Sequence, residues 1–196
     1  MKTLGVGIVL MVALFFCLPY HLYMKQLWKK NPEKSWEKAR RFVSGFFRFE
    51  LKLSGCKVNV IGKENIPQDG PVLFVGNHRS YFDILIYHEA IGKPLGFLAK
   101  KEMEKIPLLS TWMKNLYCLF LDRDNMREGL KTILQAIDYV KNGISICIFP
   151  EGTRNNGEEL SMLPFRDGAL KIAEKTGCAI IPISMNNTAD IFEAHF

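Results

Sequence analysis

The chain has 196 residues, 48% hydrophobic and 23% charged, with a formal net charge of +6. That composition excludes a disordered chain and a polytopic membrane protein, and it suits one domain of ordinary size with an appendage. Residues 1–54 hold ten Lys/Arg against three acids, while the remainder is near balance at 16 against 17; a basic segment beside an apolar one points to anionic lipid, not to nucleic acid.

Thr3 to Met24, "TLGVGIVLMVALFFCLPYHLYM", contains no Asp, Glu, Lys or Arg. A helix over 3–24 would run roughly 33 Å, about one hydrocarbon thickness, and Pro19 permits a kink near its end. A cleaved signal would need small residues at its cut site, and "FCLPYHLYM" has none; a lipoprotein site at Cys17 is opposed by Phe15 and Phe16. Lys25, Lys29 and Lys30 come after this stretch and only Lys2 precedes it, so the positive-inside bias places the body of the chain on the cytoplasmic face of the cell membrane.

Residues 33–54 predict a basic amphipathic helix, started at Pro32 and stopped at Gly55. Trp36, Ala39, Val43, Phe46, Phe47 and Leu51 share one face, with Lys and Arg between them. That face is expected at the membrane interface; the plainer reading is a surface helix packed on the domain. Residues 1–55 are thus expected to be membrane-associated helices, and 56–196 an α/β domain.

From Cys56 onward, short apolar runs alternate with helical stretches. "CKVNVIG" (56–62), "PVLFVGN" (71–77), "LGFLAK" (95–100), "LYCLFLD" (116–122), "ISICIF" (144–149) and "CAIIPIS" (178–184) predict strands. Helices are predicted over 80–91, 105–115, from the capping box of Asn125 and Glu128 to about Asn142, and from Arg166 to Lys175. This alternation means a mainly parallel sheet flanked by helices. The chain stops at Phe196 soon after the last strand, so the domain is expected to be C-terminally incomplete. The five scattered cysteines read as small buried thiols in a reducing compartment, and no spacing suggests a metal site.

In such sheets, ligands gather beyond the carboxyl ends of strands. Those ends carry Asn77-His78-Arg79-Ser80-Tyr81-Phe82-Asp83, then Lys100 and Lys101, then Asp122 and Arg123, then Pro150-Glu151-Gly152-Thr153-Arg154. One base with a carboxylate and several cations therefore converge. Two readings of Asp83 stand together: a capping partner for Ser80, and an acceptor for the His78 imidazole. No GxSxG elbow is present, and Ser80 lies only two residues from His78, so a serine-hydrolase triad does not fit. A His/Asp pair without a protein nucleophile points to direct transfer onto a substrate hydroxyl. "FPEGTR" suits phosphate, with Gly152 allowing close approach and Arg154 a forked cation; a plain strand-to-loop turn is the alternative.

Taken together, "NHRSYFD", "LFLDRDN", "FPEGTRN" and "IIPIS" resemble, in order and spacing, the four blocks of the glycerolipid acyltransferase family, of lysophosphatidate-acylating type, over roughly residues 56–185. The first is that family's HxxxxD motif. The resemblance implies that His78 is the general base and Asp83 its orienting partner. It implies an acceptor-binding group of Arg123, Glu151, Gly152, Thr153 and Arg154, with Lys100 assisting at the phosphate. It further implies transfer of an acyl group from acyl-CoA or acyl-ACP to the 2-hydroxyl of 1-acylglycerol 3-phosphate, giving phosphatidic acid, with no metal and no bound cofactor. The implied partners are membrane lysophosphatidic acid and the CoA or acyl carrier protein thioester. Glycerol 3-phosphate or another lysophospholipid is the alternative acceptor, and a membrane-anchored lipid-binding protein the non-enzyme alternative. One departure stands out: Tyr117 occupies a position, six before Arg123, where the family often has glycine. It is expected to reshape the pocket.

Overall fold

The computed structural model describes residues 18–191 apart from Leu160 and Asp167. Residues 3–17 of the expected apolar helix, Cys17 among them, and the chain end from 192 lie outside the described residues. Helix α1 runs over Leu18–Lys30 and helix α2 over Pro32–Leu53. No described helix is long and apolar enough to cross a membrane. Asn31 starts α2 by accepting the Lys34 N–H at 2.9 Å, and Pro32 takes the first helical position, where a missing N–H costs nothing.

The face of α2 expected to meet lipid packs on the domain instead. Ala39, Val43 and Leu51 are buried, and Phe47 stands edge-on to His88 at 5.3 Å. The domain's own helices on that side need an apolar cover, and this face supplies it. A different apolar set is left exposed: Leu18, Leu22 and Tyr23 on α1, with Phe42, Phe49 and Leu53 on α2.

The domain contains strands β1 (Leu73–Gly76), β2 (Leu95–Lys100), β3 (Leu119–Leu121), β4 (Ser145–Ile148) and β5 (Ile180–Ile183). Between them run helices α3 (Phe82–Ile91), α4 (Leu109–Asn115), α5 (Met126–Lys141) and α6 (Lys171–Thr176). The sheet order is β3-β2-β4-β1-β5, and every pairing is parallel. Buried residues alternate across it. Val72, Phe74 and Cys147 join α1 to α4 in one cluster, whereas Leu73, Ile146 and Ile148 join α5 and α6 in the other. The adjacent strands β1 and β4 thus send their crossovers to opposite faces. Their carboxyl ends flank the crevice where doubly covered sheets bind ligands.

Two expected elements differ. "CKVNVIG" is not a strand: it has no ladder partner among the described residues, and Val58, Val60 and Ile61 are exposed. The helix expected from Arg166 starts only at Lys171. The Arg166 N–H is taken by the Pro150 carbonyl at 2.9 Å, so this stretch closes over the turn after β4 instead of coiling. Of the thiols, Cys118 and Cys147 are buried, and burial pushes Cys118 up to about 12.

Candidate active site

The loop after β1 carries the His78–Asp83 pair. Asp83 sits in the first turn of α3 and is fully buried. Its Oδ2 lies 2.8 Å from His78 Nδ1 and accepts the backbone N–H groups of Arg79 (2.7 Å) and Ser80 (2.9 Å). A carboxylate only accepts, so the proton between the pair belongs on Nδ1, and Nε2 keeps its lone pair outward. The Ser80 hydroxyl accepts the Phe82 N–H at 3.0 Å. The cap and the dyad are therefore one structure: the N–H groups that the loop must satisfy are what aim the carboxylate. Phe149, at the end of β4, stacks on the imidazole with centroids 4.1 Å apart and planes at 15°.

A glycine is required beneath this loop. A Cβ on Gly76 would stand 1.7 Å from the Tyr87 hydroxyl, and the Tyr87 ring meets Phe149 edge-on at 5.5 Å. Asn77 ties in the segment after β5, donating to the Met185 carbonyl (2.7 Å) and accepting its N–H (2.8 Å).

The turn after β4 is braced against the same loop. Asn155 N–H donates to the His78 carbonyl at 2.7 Å. Arg79, which sequence reasoning passed over, is buried, donates to the carbonyls of Gly157 (2.8 Å) and Glu158 (3.0 Å), and pairs with Glu159 at 3.0 Å. Glu151 is turned inward, and its Oε2 accepts the Leu163 N–H at 2.8 Å. From that position it braces the turn, and its other oxygen, Oε1, is buried without a hydrogen-bond partner among the described residues. Gly152 has φ +76°, a left-handed conformation that glycine adopts without strain. Arg123, from the end of β3, donates from Nη1 to the Gly152 carbonyl. Partial burial, and then the Arg166 charge, lower its pKa. Arg154 lies over the Tyr81 ring, 3.9 Å from its centroid, with Nη2 3.2 Å from the Tyr81 hydroxyl.

His78, Asp83, Glu151, Gly152, Arg123 and Arg154 are thus linked through the β1, β3 and β4 ends. Thr153 is exposed on the same turn. Lys100 is exposed at the end of β2, paired with Glu102 at 3.2 Å. Arg166 joins the group beside Gly152, where sequence reasoning had put it in a helix. Tyr117 takes φ +59°, the conformation glycine would adopt freely. Its ring turns to Trp28, Trp36 and Tyr139 under the helical pair. An open cleft of about 380 Å³, lined by Trp28, Lys114, Phe120, Thr132 and Tyr139 among others, lies along the outer edge of β3 and does not include the dyad.

Residues 57–186 match the family model described as Acyltransferase. This chain belongs to the acyltransferase family. Among similar acyltransferases, the 1-acyl-sn-glycerol-3-phosphate acyltransferase of Borreliella burgdorferi is 36% identical over 145 residues, covering 74% of this chain and 57% of that protein. The protein of the same name from Haemophilus influenzae is 29% identical over 193 residues, covering 96% of this chain and 75% of that one. The crystal structure of the 1-acyl-sn-glycerophosphate (LPA) acyltransferase PlsC from Thermotoga maritima superposes with a TM-score of 0.74 at 30% identity, covering 92% of this chain and 71% of that one. The chain spans only 57% of the length of the Borreliella burgdorferi protein, and the same share of a probable 1-acyl-sn-glycerol-3-phosphate acyltransferase of Mycoplasma pneumoniae.

Proposed function

We propose that this acyltransferase esterifies the free 2-hydroxyl of 1-acylglycerol 3-phosphate with an acyl group from acyl-CoA or acyl-ACP, giving phosphatidic acid. The observation that carries the reading is Asp83 Oδ2, held by two backbone N–H groups 2.8 Å from His78 Nδ1. It leaves His78 one basic nitrogen, Nε2, for a substrate hydroxyl. His78 takes the proton of the acceptor hydroxyl as the oxygen attacks the thioester carbonyl. Asp83 stabilises the imidazolium, which returns the proton to the departing thiolate. The C–O bond forms, the C–S bond breaks, and nothing is oxidised. Arg123 and the Gly152 turn receive the acceptor phosphate. The names of the similar proteins support this choice of acceptor.

The exposed apolar side chains of α1 and α2, flanked by Lys25, Lys29, Arg41 and Lys52, support docking on the cytoplasmic face of the membrane, where the lipid acceptor lies. The test is an assay with labelled acyl thioester in vesicles, offering lysophosphatidate, glycerol 3-phosphate and lysophosphatidylcholine as acceptors, with acyl-CoA and acyl-ACP as donors. Lysophosphatidate is expected to be acylated fastest. No product from any acceptor, with the protein folded, refutes the reading.

A further inference from the structure

Two guanidinium groups converge above Gly152. The point where a Cβ of Gly152 would stand lies 3.4 Å from both Arg166 Cγ and Nε, and 3.7 Å from Arg123 Cζ. Each arrives from a different element, Arg123 from the end of β3 and Arg166 from the segment before α6. Both are anchored: Arg123 donates to the Gly152 carbonyl, and the Arg166 backbone is fixed to Pro150. Like charges so close repel unless something negative lies between them. The lysines at this end of the sheet are neutralised by acids, Lys100 by Glu102, Lys101 by Glu104 and Lys131 by Glu128. Among the described residues, no carboxylate comes within ion-pair distance of Arg123 or Arg166; the charges of Glu102 and Asp124 act on Arg123 from farther away. The juxtaposition is therefore charged, forked and left open for an anion.

We propose that Arg166 is a second phosphate-holding residue, which with Arg123 forms a clamp selecting a phosphomonoester acceptor over a phosphodiester one. This rests on the acyl-transfer reading above and assigns the source of its acceptor preference. A phosphomonoester carries about −1.5 to −2 charges near neutral pH and presents three terminal oxygens. A diester such as the headgroup of lysophosphatidylcholine carries one charge and two such oxygens. Two planar forks match the first in charge and in acceptor number, and leave one guanidinium unsatisfied by the second. Gly152 suits the arrangement because its φ of +76° is strained for any residue with a side chain; a Cβ there would stand only in van der Waals contact with Arg166.

The test uses the full chain in vesicles with a thioester donor, comparing lysophosphatidate with lysophosphatidylcholine, in wild type, Arg166→Gln and Arg166→Lys. Arg166→Gln is expected to raise the KM for lysophosphatidate about 10- to 100-fold, the scale of a lost charge-assisted hydrogen bond. The donor KM should hold, and the monoester-to-diester preference should fall by a similar factor. Arg166→Lys keeps the charge but loses the fork, so it falls between. The wild-type acceptor KM should decrease as pH rises through the second phosphate pKa, about 6, and Arg166→Gln should flatten that dependence. A melting curve for each variant separates misfolding from lost binding, and Arg166→Lys decides should Arg166→Gln not fold. Wild-type preference in both folded variants overturns the clamp alone, as does an equal rise in KM for both acceptors. A wild type inert toward lysophosphatidate overturns the acyl-transfer reading itself, and the clamp with it.

Discussion

Asp83→Asn removes one charge while leaving every heavy-atom position filled. The backbone N–H groups of Arg79 and Ser80, at 2.7 and 2.9 Å, require an oxygen where Oδ2 now stands. The new amide NH₂ must therefore take the place of Oδ1, which is buried without a partner among the described residues. His78 Nδ1–H still faces an oxygen, so the tautomer survives and only the charge is lost. With charge centres about 4 Å apart and an effective dielectric constant near 20, the carboxylate stabilises an imidazolium by about 4 kcal/mol. Losing that much in the transition state lowers kcat about 10³-fold. The buried NH₂ costs about 1–3 kcal/mol of stability, a fall in Tm of roughly 3–10 °C for a chain of this size. The assay is single-turnover acyl transfer at saturating lysophosphatidate, with a melting curve alongside. A folded Asp83→Asn protein retaining a tenth or more of wild-type kcat would refute the reasoning, and Asp83 would be only a cap.

Arg123→Ala is expected to raise the lysophosphatidate KM tenfold or more and leave the donor KM unchanged; an equal rise in both removes Arg123 from the phosphate role. Gly76→Ala forces a methyl group to 1.7 Å from the Tyr87 hydroxyl. It should cost about 1–3 kcal/mol or more by overpacking, and adding Tyr87→Phe should recover part of the loss in a chemical denaturation experiment. Glu50 is almost fully buried, neither oxygen has a partner among the described residues, and burial raises its pKa above 4.5. A raised carboxyl pKa contributes stability that is present below 4.5 and lost as pH rises through the folded value. Glu50→Gln should therefore raise Tm at pH 7–8 and change it little at pH 4; the opposite pH trend would show that a charged Glu50 is stabilised in the fold.

The parallel sheet was legible because each of its strands is a short apolar run bounded by turn residues. The gathering of His78, Arg123 and Gly152 was legible because each follows the end of a parallel strand. "CKVNVIG" misled because alternation records compatibility with a strand, while a strand exists only where a neighbouring edge accepts it. The two faces of α2 carry similar side chains, so periodicity could not say which one the domain would take. Arg79 and Arg166, the latter read as an ordinary surface residue at a helix start, gave no sign of their contacts for a shared reason. Their roles depend on carbonyls and side chains far along the chain, Gly157 and Glu158 for one and Pro150 with Gly152 for the other. Local pattern carries no trace of such partners.

The ties between the two loops have a geometric result. Asn155 is joined to His78, Arg79 to residues 157–159, and Arg166 to Pro150, so His78 and the arginines cannot drift apart independently. The interval between them is a gauge set by the backbone. On the proposed reading, an acceptor anchored by its phosphate is measured against that gauge, and only a hydroxyl at the matching distance reaches Nε2. In 1-acylglycerol 3-phosphate the 2-hydroxyl is the one left free, and the gauge sets whether it reaches the imidazole. An analogue with one extra methylene between phosphate and hydroxyl would bind as tightly and overshoot the base.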